Sequence, residues 1–352
     1  MIMTMKTPTT TIEKFLRTWN SPSHRLLVYT SGSTGVPKPI WVDKSKMLNS
    51  ARITCDFLGL KPGNVALLCM SLDYIAGKMM VVRSIERQLC LIVEQPNGHP
   101  LSDEALLQDG SMALDTPIDF AAMVPMQVYN SLQVPKERER LSKIKNLIIG
   151  GGAIDDALEA ELRDMPNAIW STYGMTETLS HIALRRISGP DASEWYQPLA
   201  NVNIQLNDDK CLVIDAPLVC AETLVTHDIA EVAVKGASDG KHSVTYFRIK
   251  GRKDNVICSG GIKIQIEEAE KILKPYLSEP FMIVKDKNEK FGEIAVMITQ
   301  DANLEKVRDI CVQRLPQYWA PREYLYMHKL PLTETGKPRR TVLMDKHLRV
   351  AK

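Results

Sequence analysis

The sequence predicts an α/β fold with parallel sheets in a chain long enough for about two domains, and two observations carry that prediction. Short runs of continuous apolar residues recur, of the kind buried on both faces of a parallel sheet. Between them lie segments with helical spacing, so strand and helix alternate as in βα units. Thr11–Trp19 comes first: Ile12, Phe15, Leu16 and Trp19 fall on one helical face. Asn20-Ser-Pro-Ser23 then leads into the apolar run Leu26–Tyr29, a short strand. Ile40-Trp-Val42 is extended, and Asp43–Leu58 is a helix closed by Gly59. Val65–Met70 is a buried strand, Tyr74–Ile85 a mostly apolar helix and Leu89–Val93 a strand. Strands follow at Phe120–Met126, Asn146–Ile149 and Ala168–Thr172, with a helix at Asp155–Arg163. The mixed-charge run Lys136–Arg140 suits a solvated turn or a helix start.

Composition excludes several classes. A formal charge of +2 over 352 residues points to neither a nucleic acid nor a membrane surface as partner. The seven cysteines are scattered without a Cys-x-x-Cys pair, a pattern of reduced, mostly buried thiols in a cytoplasmic protein. Met1–Thr11 is polar and lacks a signal-peptide core, and no apolar run reaches the roughly 18 residues of a membrane span. The histidines lack metal-ligand spacing, and no Gly-x-Ser-x-Gly elbow occurs.

The stretch that orders the rest is Thr30-Ser-Gly-Ser-Thr-Gly-Val-Pro-Lys38. Gly32 and Gly35 let backbone approach an anion, the hydroxyls of Thr30, Ser31, Ser33 and Thr34 donate hydrogen bonds, and Lys38 adds charge. A Walker A loop would run straight into a helix, but Pro37 and Pro39 forbid a helix start here. The expected geometry is strand, flexible loop, strand; standing alone, the loop would equally suit a solvated Ser/Gly turn.

Three later stretches bear on that choice. Ser171-Thr-Tyr-Gly-Met-Thr-Glu-Thr178 lies just beyond a strand's carboxyl end, where parallel sheets place ligands. In it Tyr173 offers a flat face for a base, Thr176 a hydroxyl, and Glu177 a hard oxygen suited to Mg²⁺. Gly150-Gly-Gly152 ends the preceding strand and lets a planar ring lie on bare backbone. Next come Thr226-His-Asp-Ile229, Gly251–Ile257 and Ser259-Gly-Gly-Ile-Lys263, and finally Leu332-Thr-Glu-Thr-Gly-Lys-Pro338.

In this order, over Leu26–Arg340, these stretches resemble the adenylate-forming superfamily of acyl-CoA synthetases, carrier-protein adenylation domains and luciferases. The resemblance implies a large N-terminal AMP-binding domain with parallel sheets (1–253) and a small mobile α+β C-terminal domain (254–352), with Asp254 as the hinge. It implies ATP, Mg²⁺ and CoA as cofactors and a small carboxylic acid as substrate. Thr30–Lys38 would hold phosphate, Gly151, Gly152 and Tyr173 adenine, Thr176 and Glu177 phosphate and Mg²⁺, and Asp228 and Arg252 the ribose. Lys337 would assist adenylation, and Gly260 and Gly261 would line the pantetheine path.

Departures accompany the match. The phosphate loop starts at residue 30, so part of the usual large domain is absent; a short form rather than a fragment is expected, with a homodimer covering exposed apolar surface. His227 stands where many members carry glycine, and is read as a turn substitution.

Within the superfamily, Trp19–Ser23 and Leu72–Met80 most resemble the o-succinylbenzoate-CoA ligases of menaquinone synthesis, in a compact bacterial form. Tyr74 then lines the acyl pocket, and Lys78 or Arg83 holds a substrate carboxylate, although most of that helix is plain core. Two rivals stay open: another acid–CoA or carrier-protein ligase, and a catalytically silent nucleotide-binding module.

Overall fold

The computed structural model describes residues 9–29, 39–103, 117–152, 154–236, 243–331 and 340. It has the mixed α/β class the sequence predicts, and the described residues fall into two compact units. The first comprises Met1–Ile204, Ile214–Leu224 and Ala233–Phe247; the second comprises Gln205–Val213, Val225–Val232 and Arg248–Lys352.

The first unit begins with helix α1 (Thr9–Trp19), whose apolar face buries Ile12 and Phe15, with Trp19 stacked 6.1 Å from Phe15. Strands β1 (Arg25–Tyr29) and β2 (Pro39–Asp43) pair antiparallel, Val28 opposite Ile40, so the two expected strands flank residues 30–38. Those loop residues lie outside the described residues. Then come α2 (Lys44–Phe57), β3 (Val65–Leu68), α3 (Ile75–Arg87) and β4 (Cys90–Val93).

The strand expected at Phe120–Met126 is shorter, β5 being Phe120–Met123, because Pro125 opens a helix that the sequence reading missed. This helix, α4 (Pro125–Gln133), has proline in its first turn, where a missing N–H is harmless, and Gln127 Oε1 accepts from Val124 N at 3.2 Å. Lys136–Arg140 belongs to a further helix, α5 (Pro135–Lys143), again opened by proline. There follow β6 (Asn146–Ile149), α6 (Asp156–Arg163) capped by Asp155, β7 (Ala168–Gly174), β8 (His181–Arg186) and the two-residue β9 (Gln197–Pro198).

These strands form a seven-stranded sheet in the order β4-β3-β5-β6-β7-β8-β9. Every neighbour from β4 to β7 is parallel, while β8 and β9 add an antiparallel edge. Strands β3, β4, β5 and β6 are almost wholly buried, the reason their sequences read as continuous apolar runs. On one face Leu67, Ala121, Met123, Leu147, Ile149 and Ile169 pack with Val128, Leu132, Leu141, Leu158 and Leu162 from α4, α5 and α6. Helix α2 packs on α3, burying Met47, Ala51, Met79 and Met80.

Strands β10 (Asn203–Leu206), β11 (Cys211–Asp215), β12 (Leu224–Gly236) and β13 (Ser243–Arg252) run in sequence order in a four-stranded sheet divided between the units. The second unit continues through a 3₁₀ turn (Lys253–Asn255) to β14 (Val256–Ser259), β15 (Ile262–Gln265), α7 (Ile266–Leu273), β16 (Phe281–Asn288), β17 (Gly292–Thr299), α8 (Leu304–Arg314) and β18 (Glu323–Tyr326). Its five-stranded sheet has the order β15-β14-β17-β16, with β18 parallel to β17. Ile257, Ile283, Ala295 and Met297 on one face meet Ala269, Leu273, Val307 and Cys311 of α7 and α8. Met282, Val284, Ile294, Val296 and Ile298 form an apolar layer on the other.

Candidate nucleotide and acyl-activation site

In the first unit the expected residues gather at the carboxyl ends of β6 and β7. The register places Ile149 beside Ser171, and Gly150 lies against Thr172, one residue before Tyr173. A Cβ on Gly150 would stand 2.5 Å from Thr172 Oγ1, and Gly151 has φ +80°, so side chains are excluded at the first and strained at the second. At Gly152 the nearest atom to an added Cβ is Pro125 Cγ at 3.6 Å, ordinary contact.

Tyr173 is one member of an aromatic cluster the sequence reading missed. Its ring meets Phe247 edge-on at 5.1 Å and Tyr196 at 5.8 Å, while Tyr196 and Phe247 stack at 5.4 Å. Tyr196 is held by a 3.0 Å hydrogen bond to Ser171 Oγ and by Arg185 over its ring, and Arg185 grips Glu159 through both carboxylate oxygens at 2.8 and 2.5 Å. Burial works against that guanidinium, but Glu159 and Tyr196 together more than offset it and push its pKa up. Only the apolar run before Tyr173 was a local signal; Tyr196 and Phe247 reach it from 23 and 74 residues along the chain.

The polar turn after β7 is tightly built. Thr178, fully buried, accepts from Met175 N at 2.9 Å, and its hydroxyl lies 2.6 Å from Ser180 O. A Cβ on Gly174 would sit 2.3 Å from Ser180 O, so glycine is what lets the turn fold back against β8. The turn leaves Thr176 buried and the Glu177 side chain exposed, its backbone carbonyl accepting from Cys220 Sγ at 3.5 Å. Among the described residues no group of three or more His, Cys, Asp or Glu could by itself hold a metal. A lone exposed carboxylate on a rigid turn still fits Mg²⁺, which binds through one or two carboxylates with substrate phosphate and water completing its shell.

The acyl-pocket candidates diverge. Tyr74 is the N-cap of α3 and is 41% exposed. Lys78 is half-buried, and its Nζ donates to Asp73 O at 2.9 Å, which leaves two of its three donors; burial outweighs the Asp73 charge and lowers its pKa. Arg83 turns inward, 2% exposed, and donates from Nη2 to Ser180 Oγ at 2.6 Å. Gly77 is a packing residue, since a Cβ there would lie 2.2 Å from Ser71 O.

In the second unit Asp228 and Arg252 meet as expected of neighbours: Arg252 Nη1 donates to Asp228 Oδ1 at 3.2 Å, and Nη2 to Asp254 Oδ2 at 2.8 Å. Thr226 Oγ1 accepts from Asp228 N at 3.1 Å. His227, read from sequence as a turn substitution, reaches Asp254 with Nδ1 2.8 Å from Oδ1 and 2.9 Å from Oδ2. Burial would raise the Asp254 carboxyl, but Arg252 and His227 hold it below the usual carboxylate range. Gly260 and Gly261, with φ +56° and +85°, form the two-residue turn between β14 and β15, where such angles match the strand twist. Lys337 lies outside the described residues. Arg340 donates to both oxygens of Glu270, on α7, at 2.6 and 2.7 Å.

The model of the AMP-binding enzyme family matches residues 13–217, more than half of the sequence. The chain belongs to the AMP-binding enzyme family. It is 25% identical over 346 residues to the 2-succinylbenzoate–CoA ligase of Enterococcus faecalis, spanning 88% of this chain and 67% of that one. To the 2-succinylbenzoate–CoA ligase of Listeria monocytogenes it is 22% identical over 95% of this chain and 72% of that one. Among solved structures it resembles an acyl-CoA synthetase (AMP-forming)/AMP-acid ligase II-like protein from Dyadobacter fermentans. That match has 29% identity and a TM-score of 0.62, covering 97% of this chain and 95% of the other. The o-succinylbenzoate CoA synthetase of Bacillus subtilis, in complex with its acyl-adenylate intermediate, shares the fold at 20% identity and TM-score 0.71, with 93% and 69% covered. The chain is thus an adenylate-forming ligase by family and by fold. Among the described residues no helix is long and apolar enough to cross a membrane.

Proposed function

We propose that this chain is an ATP-dependent acid–CoA ligase whose acid is o-succinylbenzoate, joined to CoA in menaquinone synthesis. The observation that carries the reading is the meeting, at the carboxyl ends of β6 and β7, of the Gly150–Gly152 backbone, Tyr173 and the turn bearing Thr176 and Glu177. Similarity to 2-succinylbenzoate–CoA ligases supports the choice of acid.

The chemistry follows from the residue types. A carboxylate oxygen attacks the α-phosphorus of ATP, expelling pyrophosphate; the CoA thiolate then attacks the acyl carbon and AMP leaves. Tyr173 and the glycines receive adenine, Asp228 and Arg252 the ribose, and the loop Thr30–Lys38 the outer phosphates. Lys337 donates hydrogen bonds to the oxygens that gain charge in the first step. Glu177 would hold Mg²⁺, which when bound neutralises phosphate charge. Lys337 serves the first step and the thiol the second, so in this reading a swing of the C-terminal part about Asp254 replaces that lysine with the Gly260–Gly261 turn.

The test is a panel of carboxylic acids, each scored for CoA-dependent AMP release. o-Succinylbenzoate should give the highest kcat/KM, with benzoate and fatty acids at least about tenfold lower. A different best acid would keep the ligase and discard the substrate. No AMP with any acid, but tight ATP binding, would favour the silent nucleotide-binding module.

A further inference from the structure

Arg83 is the least expected charge in the molecule. It sits on α3 among Met79, Met80, Val81 and Val82, all fully buried, and is itself 2% exposed. A guanidinium taken out of water costs several kcal/mol unless it is paired. Yet among the described residues no carboxylate oxygen lies within 4.0 Å of it. Among the described residues its Nε has no partner, Nη1 reaches Met80 Sδ at 3.8 Å, and Nη2 makes the strong bond, to Ser180 Oγ.

That bond sets the direction of a longer chain. Arginine can only donate, so Ser180 Oγ accepts and its own proton points to His181 Nδ1, 3.4 Å away. Desolvation and the Arg83 charge keep the buried imidazole neutral, and because Thr54 spends its own hydrogen on Ser50 O, Nε2 is the nitrogen that donates, to Thr54 Oγ1 at 3.0 Å. That Thr54 hydroxyl donates to Ser50 O at 3.0 Å, inside α2. One polarised run from Arg83 to Ser50 therefore clamps the end of the Met175–Ser180 turn to both α2 and α3, and each bond strengthens the next.

We propose that Arg83 is a positioning residue for acid activation: through Ser180 it fixes the turn that presents Thr176 and Glu177, and its uncompensated charge favours an anion there. The role rests on the functional reading of that turn given above. It also explains why a cation is kept where a leucine would fill the space without the desolvation cost.

The test compares Ser180→Ala, Arg83→Lys, Arg83→Met and Thr54→Val with the wild-type chain. Hydrogen exchange of the backbone amides from Gly174 to His181 should quicken at least about tenfold in Ser180→Ala, while exchange in β5 and β6 stays unchanged. In the same variant the kcat for pyrophosphate release should fall about tenfold, KM for the acid should hold, and the Mg²⁺ concentration for half-maximal rate should rise. Arg83→Lys, which keeps a donor and the charge, should be milder than Arg83→Met. A folded Ser180→Ala with wild-type exchange across the turn and a wild-type Mg²⁺ requirement would overturn the proposal. Should Arg83→Met fail to fold, Thr54→Val cuts the same run at its far end and must show the same local exchange. If the wild type releases no pyrophosphate with any acid, the functional reading falls and the exchange pattern alone decides whether Arg83 holds the turn.

Discussion

Single side chains decide how much of the site can vary. Gly174 has no room for a methyl group, its Cβ position lying 2.3 Å from Ser180 O, which is backbone and cannot rotate away. Gly174→Ala should cost about 1–3 kcal/mol by overpacking, read as a lower midpoint in urea at unchanged m-value. Lys78 has donors to spare beyond its bond to Asp73 O and sits on the same helix as Tyr74's cap. If it holds the aromatic carboxylate of o-succinylbenzoate, Lys78→Met should raise KM for that acid about tenfold to a hundredfold. KM for ATP should barely move; equal effects on both would show that Lys78 supports the fold instead. At Asp254 the depressed carboxyl gives a signed pH dependence. Its folded value lies below its unfolded one, so its stabilising contribution is complete above the ordinary value of 3.8 and is lost as pH falls through the folded value. A carbon-13 titration of the Asp254 carboxyl should show a midpoint below 3.8 that moves up in Arg252→Met.

Among the elements, the β14–β15 hairpin and the C-terminal segment carry opposite halves of the proposed cycle. Gly261 has φ +85° with nothing within 4 Å of an added Cβ, so a side chain there meets backbone strain and open space rather than a clash. Gly261→Leu should leave pyrophosphate release nearly intact and slow transfer to CoA, because its side chain projects into the proposed pantetheine path. Lys337→Ala should do the reverse, crippling adenylation while a pre-made acyl-adenylate still reacts with CoA. Single-turnover assays of the two half-reactions separate these outcomes, and equal losses in both halves for either variant would remove its assigned role. The two proline-opened helices, α4 and α5, show how an element hides in a sequence. Pro125 falls inside the strand expected at Phe120–Met126, and Lys136–Arg140 suits a turn as well as a helix start, yet a proline occupies the first turn of each helix.

At the scale of the molecule, all seven cysteines are free thiols. Cys55, Cys69, Cys211, Cys220 and Cys311 are buried, and desolvation pushes Cys55 up to about 11 and Cys69 up to about 12. Only Cys258 is exposed. A disulfide reagent at pH 8 should therefore titrate one thiol quickly in the native protein and seven after denaturation, and Cys258→Ser should abolish the fast phase. Several fast-reacting thiols in the native protein would mean that the parallel sheet opens readily.

What the sequence alone determined was local. Parallel strands such as Asn146–Ile149 are legible because burial on both faces demands unbroken apolar runs. Order along the chain then identified the superfamily, which the family match over residues 13–217 bears out. What tertiary structure decided was direction. Arg83 and Lys78 share one helix, and helical spacing separates their faces without saying which face meets solvent; packing of α3 on α2 sends Arg83 inward to Ser180. The Tyr173–Tyr196–Phe247 cluster and the neutral, Nε2-protonated His181 likewise depend on neighbours far along the chain. No local pattern encodes them, because their energies come from contacts that exist only once the sheet has formed.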